Sequence, residues 1–188
     1  MPKKQDIFNK IKELNASEQL AFSISCCERM LPRYHEFSTA EGWGDVKVLR
    51  NALDMLWSHL AGQEISKEKI EKMTSLVADQ EPETEDFCST NASRALDASA
   101  AIELTLQFAD SKDESLCLDI SSLAFDSVDM GIHEKADTGA RTFNRDARVS
   151  EHELMQAEVS RQNEGILLAQ KWNSGELTLD QLKKMHKE

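Results

Sequence analysis

The sequence predicts an all-α protein, a single-domain bundle of eight or nine helices with no β-sheet. Three observations carry that expectation. Apolar residues recur every three to four positions in segment after segment. No stretch sustains the two-residue alternation of a half-buried strand. Only seven Gly and three Pro interrupt the 188 residues, so long uninterrupted elements are favoured over turn-rich ones. A hydrophobic fraction of 40% with 30% charged residues suits one globular domain with a sizeable core.

The first predicted helix runs from about Gln5 to Leu14, with Ile7, Phe8, Ile11 and Leu14 on one stripe. Asn15-Ala16-Ser17 breaks it, and Ser17 suits the N-cap of a second helix bearing Leu20, Ile24, Cys27 and Leu31. Pro32 is expected to open a short third helix carrying Tyr34 and Phe37, since a first turn tolerates a missing N–H. Gly42 ends it in the left-handed position. Asp45 caps a fourth helix whose Val46, Leu49, Leu53, Leu56, Trp57 and Leu60 make the clearest core stripe, with Gly62 after it. A fifth begins at Ser66 with Ile70, Met73 and Val77.

Residues 79–86, DQEPETED, hold five acids and a proline and predict an exposed loop. A sixth helix spans roughly Thr90 to Asp110. Ser111 with Glu114 has the spacing of a capping box and opens a seventh, reaching about Lys135. That helix is apolar around most of its circumference, the pattern of a central bundle helix. Residues 136–149 show no period and predict a long loop with Arg141, Arg145 and Arg148. Ser150 with Glu153 opens an eighth helix ending near Asn173 and Gly175. Thr178 caps a last short one with Leu179, Leu182 and Met185.

Charge narrows the partners. The net charge is −12; the first 78 residues balance at 11 basic and 11 acidic, and the remainder carry 11 against 23. An acidic surface repels phosphate backbones, so no nucleic-acid partner is expected. No stretch approaches the ~18 apolar residues of a membrane span, and the N-terminus has no apolar signal core. A cytoplasmic protein without a membrane partner is expected. The partly apolar circumference of several helices leaves a homodimer open.

Catalytic and metal motifs find little support. Cys26, Cys27, Cys88 and Cys117 contain no CxxC pair. Helical phase places Cys27 on a core face and leaves Cys26 the one candidate reactive thiol. Asp119, Asp126, Asp129 and His133 form an acidic strip on the seventh helix; Asp126 and His133 lie two turns apart, roughly 10 Å, too far to share one ion. The Gly42-Trp43-Gly44-Asp45 turn precedes a helix, yet Asp45 at its mouth would repel a phosphate. No metal, cofactor or catalytic residue is assigned. Asp97 shares a face with Ala101, Leu104 and Phe108, and Arg161 lies on the stripe of Leu154, Leu168 and Trp172 near Gly165. Buried charges need partners, so Asp97 is expected to pair with one of Arg50, Arg94, Arg29 and Arg161.

CERMLPRYxxF at 27–37, GWGD at 42–45 and RxxLDxLW at 50–57 together resemble the YjaG family, a group of bacterial all-helical proteins of unknown function. The likeness is densest over residues 20–60 and weaker around RALDASAAIEL at 94–104. It implies an all-helical fold and no activity, substrate or cofactor; an association with histidine kinases, hence a signalling role, is what it suggests about partners. The leading expectation is a non-enzymatic interaction protein presenting a helical surface around Glu28, Arg29, Tyr34 and Trp43, where aromatic and Arg side chains concentrate. The alternative is an enzyme or small-ligand binder using an interhelical polar cluster of Asp97, Arg50, Glu28 and Arg161.

Overall fold

Twenty-six residues of unbroken helix form the axis around which the other elements pack. In the computed structural model, which describes residues 2–87, 90–136 and 153–185, this is α2, Ala16–Glu41. The others are α1 (Pro2–Lys12), α3 (Val46–Leu60), α4 (Lys67–Ala78), α5 (Thr90–Ser111), α6 (Glu114–Ala136), α7 (Glu153–Asn173) and α8 (Leu179–Met185), with a 3-10 turn at Thr84–Asp86. No strand occurs among the described residues. Buried side chains from all eight helices merge into one apolar cluster, from Ile7 and Ile11 of α1 to Leu182 of α8.

α2 takes the central place expected of the seventh predicted helix. It packs against α3, α5, α6 and α7, and Gln19 through Glu28 are buried without a break. α6 is apolar all round but lies to one side: Cys117, Ile120, Ala124 and Phe125 are buried, whereas Leu116, Leu118, Leu123 and Val128 are only partly covered. Ser23, on the same face as Leu20, Ile24 and Cys27, is buried, and so is Ser25. Small side chains allow neighbouring helices to approach from every direction.

Pro32 does not begin a new helix; it lies inside α2. A proline in a helix interior loses one hydrogen bond and presses on the carbonyl four residues back, at about 3 kcal/mol. Its ring faces solvent, while Met30, Tyr34 and Phe37 are buried on the inner side across it, and their burial holds the two halves in line. The N-cap is Asn15 rather than Ser17. The Asn15 side chain accepts from the N–H groups of Ser17 and Glu18, and Glu18 accepts from the Asn15 N–H at 2.9 Å, a complete capping box. The Ser111–Glu114 box does not form either: Ser111 ends α5, and Asp113 heads α6 by accepting the Ser115 N–H at 3.0 Å.

Asp45, Ser66 and Thr178 cap α3, α4 and α8 as the sequence indicates. The loop expected at 136–149 lies, beyond Ala136, outside the described residues, as do Ser150 and Cys88. In the acidic segment, Glu83–Asp86 are exposed, but Pro82 is buried and Glu81 half-buried, so the segment is anchored at its start.

Gly42 and Gly44 both have positive φ, 65° and 75°. A Cβ at Gly42 would meet open space, whereas one at Gly44 would overlap the Tyr34 hydroxyl. Gly42→Ala is therefore expected to cost about 1–2 kcal/mol, the left-handed penalty alone. Gly44→Ala should cost at least about 1 kcal/mol more, because Tyr34 must also move. Urea unfolding of the two variants side by side measures the difference.

Candidate functional site

Glu28 sits at the middle of α2 with its side chain 5% exposed. Both its carboxylate oxygens are taken up by α3. Arg50 donates from its two terminal nitrogens, one to each oxygen, at 2.7 Å, the bidentate fork that makes such pairs strong and directional. Trp57 donates its indole N–H to Glu28 Oε1, also at 2.7 Å. Arg50 and Trp57 are seven residues apart, two turns of one helix face. Arg50 further reaches Asp54 at 2.9 Å on its outer side, and Lys183 of α8 lies 5.5 Å over the Trp57 ring.

The neighbouring Arg29 points elsewhere, as a step of about 100° along a helix requires. It meets α7, donating to Glu158 Oε1 at 3.3 Å and to the Ser25 carbonyl at 3.2 Å. Glu158 is buried and also accepts from Gln162 Nε2 at 3.1 Å; the same nitrogen bonds the Ser121 carbonyl of α6 at 3.1 Å. Gly165 stands at this crossing, where an added Cβ would meet Phe22 at 3.5 Å and Ser25 Oγ at 3.6 Å, ordinary contact distances. Arg161, expected in the interior, is half-exposed and touches Glu158 only at 3.6 Å from outside. The interior groups of α7 are Glu158 and Gln162. Their spacing to Gly165, seven and three residues along one helix face, is the sequence signal that marks them.

Tyr34 and Trp43 also turn inward. Tyr34 is fully buried and donates to the Gln80 carbonyl at 2.9 Å. Trp43 is half-buried and stacks edge-on with Phe37 and Phe87, at ring separations of 5.9 and 5.7 Å. The surface foreseen around Glu28, Arg29, Tyr34 and Trp43 is therefore largely packed interior. Cys26 joins them: it is fully buried, and burial pushes its thiol up to about 11 against the pull of Arg29. A thiol so protonated is a poor nucleophile.

Asp97 stands apart from both clusters. None of the ion pairs among the described residues reaches it. Arg50 is taken by Glu28, and Arg29 and Arg161 by Glu158. Its Oδ2 is buried without a hydrogen-bond partner. Burial, with the charge of Asp126 added, pushes its carboxyl up to about 7. Asp126 itself is exposed, with Lys4 at 3.8 Å. Among the described residues, no three His, Cys, Asp or Glu side chains gather closely enough to hold a metal ion. No helix among them is long and apolar enough to cross a membrane.

Two outcomes follow from this geometry. Glu28→Gln keeps the shape but strands Arg50 beside a neutral amide. It is expected to lower the unfolding free energy by about 3 kcal/mol, the scale of breaking a buried pair, in urea melts at neutral pH. Asp97 has a folded-state pKa near 7, above its ordinary value of 3.8, so the folded form holds a proton that the unfolded form releases first. Its contribution is complete below pH 3.8 and is lost as pH rises to about 7. Melting temperature should accordingly fall over that range, and Asp97→Asn should fall less.

Comparison with known proteins places this geometry. Residues 6–188 match the family model described as protein of unknown function, DUF416. The uncharacterized protein YjaG of Escherichia coli (strain K12) is 27% identical over 93 residues, half of this chain; the match spans only 47% of that protein's length. The crystal structure of a DUF416 family protein from Shewanella baltica OS155 superposes with a TM-score of 0.82 at 28% identity. That superposition covers 96% of this chain and 91% of that one. The helices that hold Glu28, Arg50 and Glu158 together thus have a solved counterpart, and the chain belongs to the DUF416 family of proteins of unknown function.

Proposed function

We propose that this chain is a non-enzymatic helical interaction protein of the cytoplasm, a signalling accessory whose partner class is the histidine kinase suggested by the family resemblance. One observation carries the non-enzymatic part. The polar groups best placed for chemistry are committed to one another: Glu28 to Arg50 and Trp57, Arg29 to Glu158, Gln162 to Ser121. A catalytic carboxylate must have a lone pair or proton free to reach substrate, and a closed ion pair does not. What the segment at 26–57 offers outward is its far side: Arg33, His35 and Glu36 of α2 with Lys47, Asn51 and Asp54 of α3, all exposed. A partner of mixed charge would meet them.

A second reading rests on Asp97. A half-buried carboxyl with one oxygen lacking a partner and a pKa near 7 is the kind of perturbed group that clusters at ligand sites. It would make the protein a small-ligand binder, without Arg50, which is held by Glu28.

One experiment separates the two. Purified cytoplasmic domains of the histidine kinases encoded in the same genome are titrated against the protein, and a thermal-shift screen of metals, nucleotides and metabolites is run in parallel. The interaction reading expects saturable binding to a kinase, weakened by Arg33→Glu and Lys47→Glu and untouched by Asp97→Asn. A small ligand that raises the melting temperature of the wild type but not of Asp97→Asn, with no kinase bound, overturns it. At a hundred times its Kd such a ligand adds about 2.7 kcal/mol, well within reach of the screen.

A further inference from the structure

Lysine ammonium groups lie over aromatic rings at three places among the described residues, and one of these differs from the others. Lys112 faces Phe108 alone and also donates to the Ala109 carbonyl at 2.7 Å; Lys183 faces Trp57 alone. Lys4, in the first turn of α1, stands against two rings. Its Nζ is 5.7 Å from the ring centre of Phe8 and 5.5 Å from that of Phe125. Phe8 lies one turn along the same face of α1, and Phe125 comes from α6.

The third wall is acidic. Asp126, next to Phe125 in sequence, holds an oxygen 3.8 Å from Lys4 Nζ; the Asp126 side chain is 61% exposed and that of Lys4 28%. At this separation the pair is a contact of charges and not a hydrogen bond. On the α5 side lies Asp97, near enough to feel the charge of Asp126, with its buried Oδ2 lacking a hydrogen-bond partner. Two ring faces and a carboxylate around one cation are the surroundings that hold organic ammonium ions. Here they hold the cation by its charge and ask for no N–H. Lys4 fills the place from its own chain, on a flexible four-carbon stem that reaches solvent. Swinging that stem aside leaves α1 anchored, because Ile7 and Ile11 are buried beneath it.

We propose that Phe8, Phe125 and Asp126 form a binding site for a small quaternary ammonium ion, with Lys4 as its built-in occupant. The ligand enters from the solvent side and displaces the Lys4 ammonium, so one cation is exchanged for another and the charge of the site is unchanged. A methylated ammonium suits the place better than the lysine head does. It sheds less water on entering, it spreads its charge over methyl groups that can touch both rings, and it has no N–H left wanting an acceptor. The net charge of −12 adds a general attraction for cations. The site uses none of the α2 and α3 charges that would meet a kinase, and it does not rest on that reading.

Tetramethylammonium chloride is the probe. It is titrated against the full chain at constant ionic strength, and the ring-current shift of its methyl protons is followed by NMR. The wild type is expected to bind it weakly and saturably. Lys4→Gln removes the competing cation and should tighten the apparent Kd roughly fivefold or more, since the ligand no longer waits for the site to be vacated. Adding Asp126→Asn should remove most of that gain. Both substituted side chains reach solvent, and circular dichroism checks that each variant is folded as the wild type is. The neutral molecule tert-butanol, of nearly the same size, should show no saturable shift. A Lys4→Gln protein that binds tetramethylammonium no more tightly than the wild type overturns the proposal. So does equal binding of tert-butanol, which shows apolar contact alone, or a double variant that binds as tightly as Lys4→Gln.

Discussion

A carboxylate in the middle of a packed helix must be neutralised in place, and Glu28 is the constraint on which the arrangement of helices depends. Its two oxygens are answered by Arg50 and Trp57, from successive turns of one face of α3. Apolar ridges can slide past each other at little expense; a bidentate fork and an indole N–H converging on the same carboxylate cannot. The axial position of α3 on α2 is thereby set to within a fraction of a turn. Arg29, one residue on, does the same for α7 through Glu158. Adjacent residues of opposite charge on the axial helix thus orient two neighbours on different sides.

Much of the local structure was legible in the sequence. Asp45, Ser66, Thr178 and Gly42 stop or start helices where their chemistry indicates, and the stripe from Leu49 to Trp57 is buried apart from its polar members. What escaped is tertiary in origin. Periodicity reports the apolar face of a helix, not how many neighbours crowd it, so α6 looked more central than α2. Pro32 was read by its local cost, which burial of Tyr34 and Phe37 outweighs. Asn15 and Ser17 are both good caps by residue type; Glu18, three residues after Asn15, is what makes Asn15 the cap. Burial of Asp97 at a helix edge was legible. That no arginine among Arg29, Arg50 and Arg161 would pair with it was not, because that depends on where they are drawn by other acids.

The same reasoning explains why the residues that drew attention in 26–57 are mostly scaffold. Tyr34, Gly44, Asp45 and Gln80 form one junction: the phenol fills the space that a side chain at Gly44 would take, and Gln80 bonds both Tyr34 and the head of α3. A tyrosine, two glycines and an aspartate clustered in sequence can look like a binding motif. Here they are a joint between a helix end, a helix start and a distant loop. What this segment leaves exposed is a set of ordinary charges, Arg33, Glu36, Lys47 and Asp54 among them, which no motif advertises.

The thiols of the central helix have a practical consequence. Cys26, Cys27 and Cys117 are each fully buried, Cys27 within 3.2 Å of Thr105 Oγ1 and Cys117 3.5 Å from Ser23 Oγ. Burial raises all three thiols, Cys117 to about 12. An alkylating reagent can reach them only when helices α2, α5 and α6 part. Each modified thiol at these positions is then a permanent record of one excursion from the packed state, and the molecule carries its own clock for how often its core comes open.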